Sequence, residues 1–154
     1  MKKRAILTAA EMAVLICLLA WPLPMRAQRR SMTEWEATVR LKLLGASFLI
    51  GFLDAQLAYP PYLGRLEDDS YFEILVPLHE GVRYALLGVC DDDCRTLNMK
   101  LYDEDDDLVA QDTGRTATPE INIAPKRTQR YTVHMIMKRC DEDPCYYGLG
   151  VYSK

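Results

Sequence analysis

Two cysteine pairs with acidic residues between them are the part of this sequence whose residue types are suited to chemistry. Cys90 and Cys94 enclose three aspartates, and Cys140 and Cys145 enclose Asp-Glu-Asp-Pro. Such groups serve as a redox centre, as metal ligands, or as disulfides that close short loops. A redox dithiol normally has two intervening residues and cationic neighbours that stabilise its thiolate. Because three carboxylates disfavour a thiolate, the sequence argues against redox chemistry.

The N-terminus bears on the choice between zinc and disulfides, because it indicates the compartment. Residues 1–4 are basic, residues 12–23 are an apolar run, and a cleavage site is expected after Ala27, which is the order found in secretory signal peptides. The apolar run is shorter than the roughly 20 residues that span a bilayer. An uncleaved membrane anchor over residues 5–23 is the alternative. Export favours two disulfides over a four-cysteine zinc site and predicts a periplasmic or secreted protein.

Removal of residues 1–27 changes both the charge and the cysteine count. Four basic residues and one acidic residue leave, so the net charge goes from −3 to −6. We expect no nucleic-acid partner, since this charge opposes that of the phosphates, and a membrane partner if the segment is uncleaved. Cys17 also leaves, so an even number of cysteines remains. Loop length favours pairing Cys90 with Cys94 and Cys140 with Cys145; pairing across the two strand ends is the alternative.

Residues 28–63 are predicted to form an N-terminal helical segment. Ser31 and Thr33 each precede a glutamate by three residues, which is the capping-box spacing that begins a helix. Apolar residues then recur at steps of three or four as far as Leu57, which is the spacing of one helical face. We expect this helix to pack on a sheet. Binding of a membrane or a partner by the dense apolar residues 43–53 is the alternative.

Residues 64–154 change to a period of two, which predicts β-strands. Seven or eight short segments follow at spacings of about 8–12 residues, and glycine, proline and aspartate separate them. This pattern is typical of an antiparallel β-sandwich. The apolar residues expected to share a side of their strands are Phe72, Ile74, Val76, Leu78, Leu97, Met99, Leu101, Tyr131, Val133, Met135, Met137, Tyr147, Leu149 and Val151.

Three stretches resemble bacterial pre-peptidase C-terminal (PPC-type) domains: YALLGVCDDDCRTLNMKLYDEDDDLVAQD, TPEINIAP and RYTVHMIMKRCDEDPCYYGLGVY. The similarity covers residues 64–154 and is greatest to a cysteine-bearing subgroup of small exported proteins without a peptidase. It implies a compact jelly-roll-like sandwich, secreted or periplasmic and accessory to something else, and it transfers no catalytic residue. That family commonly has a glycine in the turn after L-Y-D, whereas residues 104–107 of this chain have none.

The acidic residues cluster between predicted strands, where aspartate is a common turn former. Calcium is the more specific interpretation, because it prefers clustered carboxylate oxygens. Alternate aspartates resemble the start of an EF-hand loop, but Leu108 stands at the glycine position and Gly114 at that of the bidentate glutamate, so an EF-hand is excluded. The candidate calcium ligands are Asp91, Asp93, Asp103, Asp105 and Asp107. No other cofactor is expected.

The sequence lacks the usual catalytic signatures. It contains two histidines, His79 and His134, and no G-x-S-x-G, H-E-x-x-H or glycine-rich phosphate loop. We therefore expect a non-catalytic exported module that binds a protein or a glycan, or stabilises an assembly. One alternative is a membrane-tethered envelope protein with an uncleaved anchor, and another is a calcium-dependent ligand-binding domain.

Overall fold

The computed structural model describes residues 33–49 and 56–153, which belong to one compact unit, Met32–Lys154. The predicted signal peptide, residues 1–27, lies outside them. Within these ranges the chain forms one helix, α1 (Glu34–Leu49), and nine strands. The strands are β1 Gln56–Leu57, β2 Tyr62–Leu66, β3 Ser70–Leu78, β4 Tyr84–Cys90, β5 Cys94–Tyr102, β6 Leu108–Asp112, β7 Glu120–Ile123, β8 Gln129–Cys140 and β9 Cys145–Ser153.

The strands form two antiparallel sheets that pack face to face. Sheet A has the order β1-β9-β4-β7, and β2 pairs with β9 on the same side as β1. Sheet B has the order β3-β8-β5-β6. Side chains such as Leu86 and Leu149 of sheet A bury against Val76, Met99 and Met135 of sheet B. The predicted antiparallel β-sandwich with an N-terminal helix is confirmed.

Helix α1 begins with one of the two predicted capping boxes. The backbone N–H and the hydroxyl of Thr33 donate to Glu36 Oε2 at 2.9 and 3.0 Å. The N–H of Ala37 donates to the Thr33 carbonyl at 3.1 Å, which is the first helical bond. Ser31, the other candidate, lies outside the described residues. Acidic residues in the first turn also favour this start, because they oppose the positive end of the helix dipole.

The prediction that the helix continues to Leu57 is wrong. Helix α1 ends at Leu49, and Leu57 lies in β1, where it pairs with Tyr152 of β9. The boundary drawn between residues 63 and 64 falls inside β2, Tyr62–Leu66. The helix was predicted too long because the periodicity of a short apolar run does not distinguish a helix from a strand. Leu57 lies in a strand because it pairs with β9, which is distant in the sequence.

One residue on the buried side of β3 is exposed. Ile74, Val76 and Leu78 are buried as the alternation predicts, whereas Phe72 on the same side of β3 is 56% exposed. Strand β3 is an edge strand of sheet B, and Phe72 lies near its start, where the facing sheet leaves the inner side uncovered. The alternation of apolar and polar residues predicts which side of a strand a side chain lies on, but not how far the facing layer extends over that side.

Helix α1 covers the outer face of sheet A. Val39 and Leu43 pack against Leu87 and Val89 of β4, which makes a second buried cluster. All seven residues of β4 are therefore buried, those facing sheet B and those facing the helix. On β9, a Cβ at Gly148 would lie 2.5 Å from Val39 Cγ1 and 3.0 Å from Leu43 Cδ1. Glycine at this position lets the helix approach the sheet.

We expect Gly148→Ala to lower the free energy of unfolding by about 1–3 kcal/mol, because the new methyl group forces the helix away from the sheet. Gly45→Ala in α1 is the matched control. Its Cβ meets nothing within 4 Å, so the change should raise stability by about 0.5–1 kcal/mol through the helix preference for alanine. Urea unfolding of both variants tests the pair. Equal effects of the two substitutions would contradict the described contact.

Tyr147 of β9 is 3% exposed in the core, and burial raises the pKa of its phenol to about 12. The unfolded chain has the ordinary tyrosine pKa of about 10. The pKa of Tyr147 is thus higher in the folded protein than in the unfolded chain. The protonated phenol therefore contributes a constant free energy of folding below about pH 10, and this contribution is lost as the pH rises from the unfolded-state pKa to the folded-state pKa. We expect the free energy of unfolding to fall over this alkaline interval, and Tyr147→Phe to reduce the fall. Urea unfolding at neutral and alkaline pH measures the difference; an unchanged pH dependence in the variant would refute the assignment.

Candidate functional site

The four cysteines of the described residues lie at one end of the sandwich, where the chain crosses between the sheets. Cys90 ends β4 in sheet A, and Cys94 begins β5 in sheet B. Cys140 ends β8 in sheet B, and Cys145 begins β9 in sheet A. The structure joins Cys90 to Cys94 and Cys140 to Cys145, which is the local pairing. Each disulfide therefore ties one sheet to the other.

Aspartates of the two cysteine loops hold the loops together. Asp91 exchanges two hydrogen bonds with Tyr146: its carboxylate accepts the Tyr146 N–H at 2.8 Å, and its N–H donates to the Tyr146 carbonyl at 2.9 Å. The N–H of Asp141 donates to the Asp93 carbonyl at 2.8 Å. Arg95 Nε donates to the Asp141 carboxylate at 2.5 Å, and this bond lowers the pKa of that carboxyl. The Asp141 carboxylate and one oxygen of the Asp91 carboxylate thus have partners within the protein, whereas Asp91 Oδ1 is buried without one among the described residues.

A contact that the sequence did not predict joins the helix to this end. Lys42 of α1 donates from Nζ to the Cys90 carbonyl at 3.0 Å and to the Asp92 carboxylate at 2.7 Å. The bond from Lys42 lowers the pKa of the Asp92 carboxyl. A lysine on the polar side of an amphipathic helix gives no sequence signal for a partner that is 50 residues away.

The candidate calcium ligands lie at opposite ends of β5. Asp91 and Asp93 precede the strand, and Asp103, Asp105 and Asp107 follow it, a separation of roughly 25 Å for nine residues of strand. In the part of the chain that the structure describes, no group of three or more His, Cys, Asp or Glu side chains is arranged to hold a metal ion. Calcium binding stays a prediction, and these five residues do not form one site.

The turn after β5 contains an aspartate in a backbone conformation that favours glycine. Asp103 Oδ1 accepts the N–H groups of Asp105 and Asp107 at 3.1 and 3.0 Å. Asp106 has a φ of 63°, in the left-handed region that glycine adopts at low cost and that aspartate tolerates. The turn therefore forms with an aspartate in a conformation that favours glycine.

The outer face of sheet B exposes aromatic and apolar side chains. Tyr71 and Leu75 of β3 are each 59% exposed. His134 of β8 lies between two tyrosines, with ring centroids 5.3 Å from Tyr71 and 4.5 Å from Tyr102 of β5. Its Nε2 lies 3.3 Å from Glu73 Oε1. The predicted outward position of His134 is confirmed. The rings of Tyr71, His134 and Tyr102 form an aromatic strip across β3, β8 and β5.

One edge of β3 also faces away from the sheet, since no described strand pairs with it. Pro77 has no N–H to donate to Arg130, opposite it on β8, and the Pro77 carbonyl accepts the Tyr59 hydroxyl at 2.7 Å. Because antiparallel pairs alternate, the backbone groups of Tyr71, Glu73 and Leu75 share the orientation of Pro77. They are therefore directed away from β8.

Helix α1 carries a second exposed apolar patch, formed by Leu41, Leu44 and Phe48. Leu44 and Phe48 lie on residues 43–53, the segment for which membrane or partner binding was the alternative, whereas Leu43 of the same segment is buried against the sheet. Among the described residues, no helix has the length and apolar character needed to cross a membrane. The following residues, 50–55, lie outside those ranges.

Comparison with known proteins gives matches to solved structures alone: no family model and no curated protein matches the chain. The pre-peptidase C-terminal domain of collagenase from Bacillus anthracis has a TM-score of 0.48 and 14% identity, over 60% of this chain and 87% of that one. PliG, a periplasmic inhibitor of g-type lysozyme from Aeromonas hydrophila, has a TM-score of 0.47 and 8% identity, over 62% and 85%. The Gap123 glycosylation-associated protein complex from Streptococcus agalactiae has a TM-score of 0.39 and 16% identity, over 68% and 40%. Similarity at this level identifies neither a ligand nor an activity for this chain.

Removal of either disulfide should destabilise the fold by a similar amount. For loops of four or five residues, chain entropy gives about 2 kcal/mol per disulfide. We expect the double variants Cys90→Ser/Cys94→Ser and Cys140→Ser/Cys145→Ser each to lower the free energy of unfolding by about this amount. Urea unfolding of the oxidised proteins is the measurement. Free thiols in the denatured, freshly isolated wild-type protein would show that the pairs are absent.

Proposed function

We propose that this chain is a non-catalytic exported module that binds a partner protein along β3 and the adjoining outer face of sheet B. The observation that carries the proposal is the exposure of Tyr71 and Leu75 on an edge strand whose backbone groups point away from its own sheet. Contiguous apolar groups at a surface, rimmed by polar ones, are typical of protein interaction sites. Tyrosine is among the residues that contribute most to such interfaces.

The free edge supports binding of an extended segment of the partner. A strand added beside β3 would take hydrogen bonds from the outward backbone groups of Tyr71, Glu73 and Leu75, while its side chains contact theirs. Glu73 lies between the two apolar residues and is half-exposed. The matching segment therefore has apolar residues on either side of a basic one, since opposite charges on paired strands attract.

The aromatic strip favours a protein over a glycan. Tyr71 is stacked on His134 with an interplanar angle of 19°, and Tyr102 lies on the other side of His134. Tyr71 thus turns one ring face towards the histidine, the Tyr102 ring is tilted by 44° to it, and the imidazole has neighbours on both sides. One face of the Tyr71 ring is thereby occupied, and a polypeptide can contact the ring edges and hydroxyl groups that stay exposed. The enclosed imidazole also supports a non-catalytic role for His134.

The disulfides support an extracytoplasmic location. Two disulfides at solvent-accessible loops persist in an oxidising compartment, and the N-terminal residues have the order of a secretory signal. We therefore place the module in the periplasm or outside the cell. The apolar patch of α1 carries no assignment, because the residues that follow the helix lie outside the described ranges.

Leu75→Lys tests the proposal, and Leu108→Lys is its matched control. Leu108 lies on β6, at the opposite edge of the same sheet, and is 47% exposed. We expect the oxidised wild-type protein and Leu108→Lys to capture the same protein from the native envelope fraction, and Leu75→Lys to lose it, because the added charge must be desolvated at the interface. Mass spectrometry of the captured material is the measurement.

Three results would contradict the proposal. Capture that survives Leu75→Lys places the interface elsewhere. Recovery of a polysaccharide in place of a protein would favour the glycan alternative. A dimer of this chain that dissociates in Leu75→Lys, measured by light scattering, would mean that β3 pairs with a second copy of itself. Thermal unfolding of both variants verifies that each is folded.

A further inference from the structure

The end of the sandwich opposite the disulfides opens into a cleft of about 390 Å³. Both sheets contribute walls: Val109 and Tyr131 belong to β6 and β8 of sheet B, and Ile123 ends β7 of sheet A. Pro125, in the loop that follows β7, completes an apolar lining. The volume is within the range of about 300–1,000 Å³ found for small-molecule sites. The two sheets are therefore tied at one end and separated at the other.

Residues of opposite charge line this cleft. Asp103 follows β5, and Lys126 and Arg127 belong to the segment between β7 and β8. Arg127 Nη2 lies 3.8 Å from Asp105 Oδ2, at the long limit of an ion pair. Lys126 makes no ion pair and no hydrogen bond with any residue placed in the structure. Asp103 uses Oδ1 to hold its turn, which leaves Oδ2 for a ligand.

Gln129 adds a polar group that lacks a partner. It lines the cleft, and its Oε1 is shut off from solvent without a donor among the described residues. A buried acceptor without a donor is unfavourable, because it has lost its bond to water. Rotation of the terminal amide towards the cleft would let a donor on a bound molecule satisfy this oxygen.

We propose that this cleft binds a small zwitterion with an apolar body, which is the chemistry of an apolar amino acid or a short apolar peptide. The carboxylate pairs with Lys126, the ammonium group pairs with Asp103, and an N–H group reaches Gln129. The side chain lies on Val109 and Ile123. A purely anionic ligand fits less well, since the acidic turn of residues 103–107 repels it. The site does not use Tyr71 or Leu75 and is independent of the protein partner proposed above.

An amide NMR titration of the oxidised protein with the dipeptide leucyl-leucine tests the site. We expect saturable shifts at Val109, Ile123 and Gln129. Lys126→Gln should weaken binding about tenfold, because it removes one charge-assisted contact. Lys138→Gln is the matched control, since Lys138 pairs with Asp69 at the disulfide end. It should bind like the wild type.

A ligand without charges distinguishes electrostatic recognition of the termini from binding of the apolar side chains alone. N-acetyl-leucyl-leucine amide has the same side chains and no charge, so we expect it to bind at least tenfold more weakly than leucyl-leucine. The proposal is overturned if the wild type shows no saturable shifts at millimolar dipeptide, if Lys126→Gln binds like the wild type, or if the neutral analogue binds equally well. Because Lys126 is exposed and without a partner, its substitution leaves the fold intact, which thermal unfolding verifies.

Discussion

The burial of β4 on both of its faces is the constraint on which the rest of the structure depends. Its inner face belongs to the core between the sheets, and its outer face is covered by α1 through Val39 and Leu43. The helix reaches the sheet because position 148 has no side chain to hold it away. Sheet A therefore offers no bare surface over β4, and the exposed aromatic strip lies on sheet B.

The two ends of the sandwich differ for a related reason. At one end, two disulfides connect the sheets, and the aspartates around them are engaged with backbone N–H groups, Arg95 and Lys42. The Asp91 and Asp141 carboxylates thereby hold the two cysteine loops in place. At the other end no covalent link joins the described strands, and a loop with two cations and an acidic turn borders the cleft. Gln129 Oε1 has no donor among the described residues at this open end, which is where we propose that a small ligand binds.

Residues close together in the sequence were predicted well. The period of two places Ile74, Val76 and Leu78 on the buried side of β3, and the spacing of Thr33 and Glu36 identifies the first turn of α1. The structure of the segment around Leu57 was predicted wrongly, because a short apolar segment is compatible with helix or strand. The exposure of Phe72 was not predicted, because alternation does not reveal where a covering layer ends. The sequence analysis did not identify Tyr71 and Leu75 as candidate interface residues. Their apolar character at outward positions of an alternating strand could have indicated this role.

The sequence by itself determined the periods of its strands, the capping of its helix and the short loops between its cysteines. Each of these depends on backbone and side-chain preferences over a few residues. The tertiary structure decided which strand lies at an edge, which sheet the helix covers and that each local disulfide joins two different sheets. Those features depend on pairings such as that of Gln56 with Ser153, whose energies arise once distant segments meet.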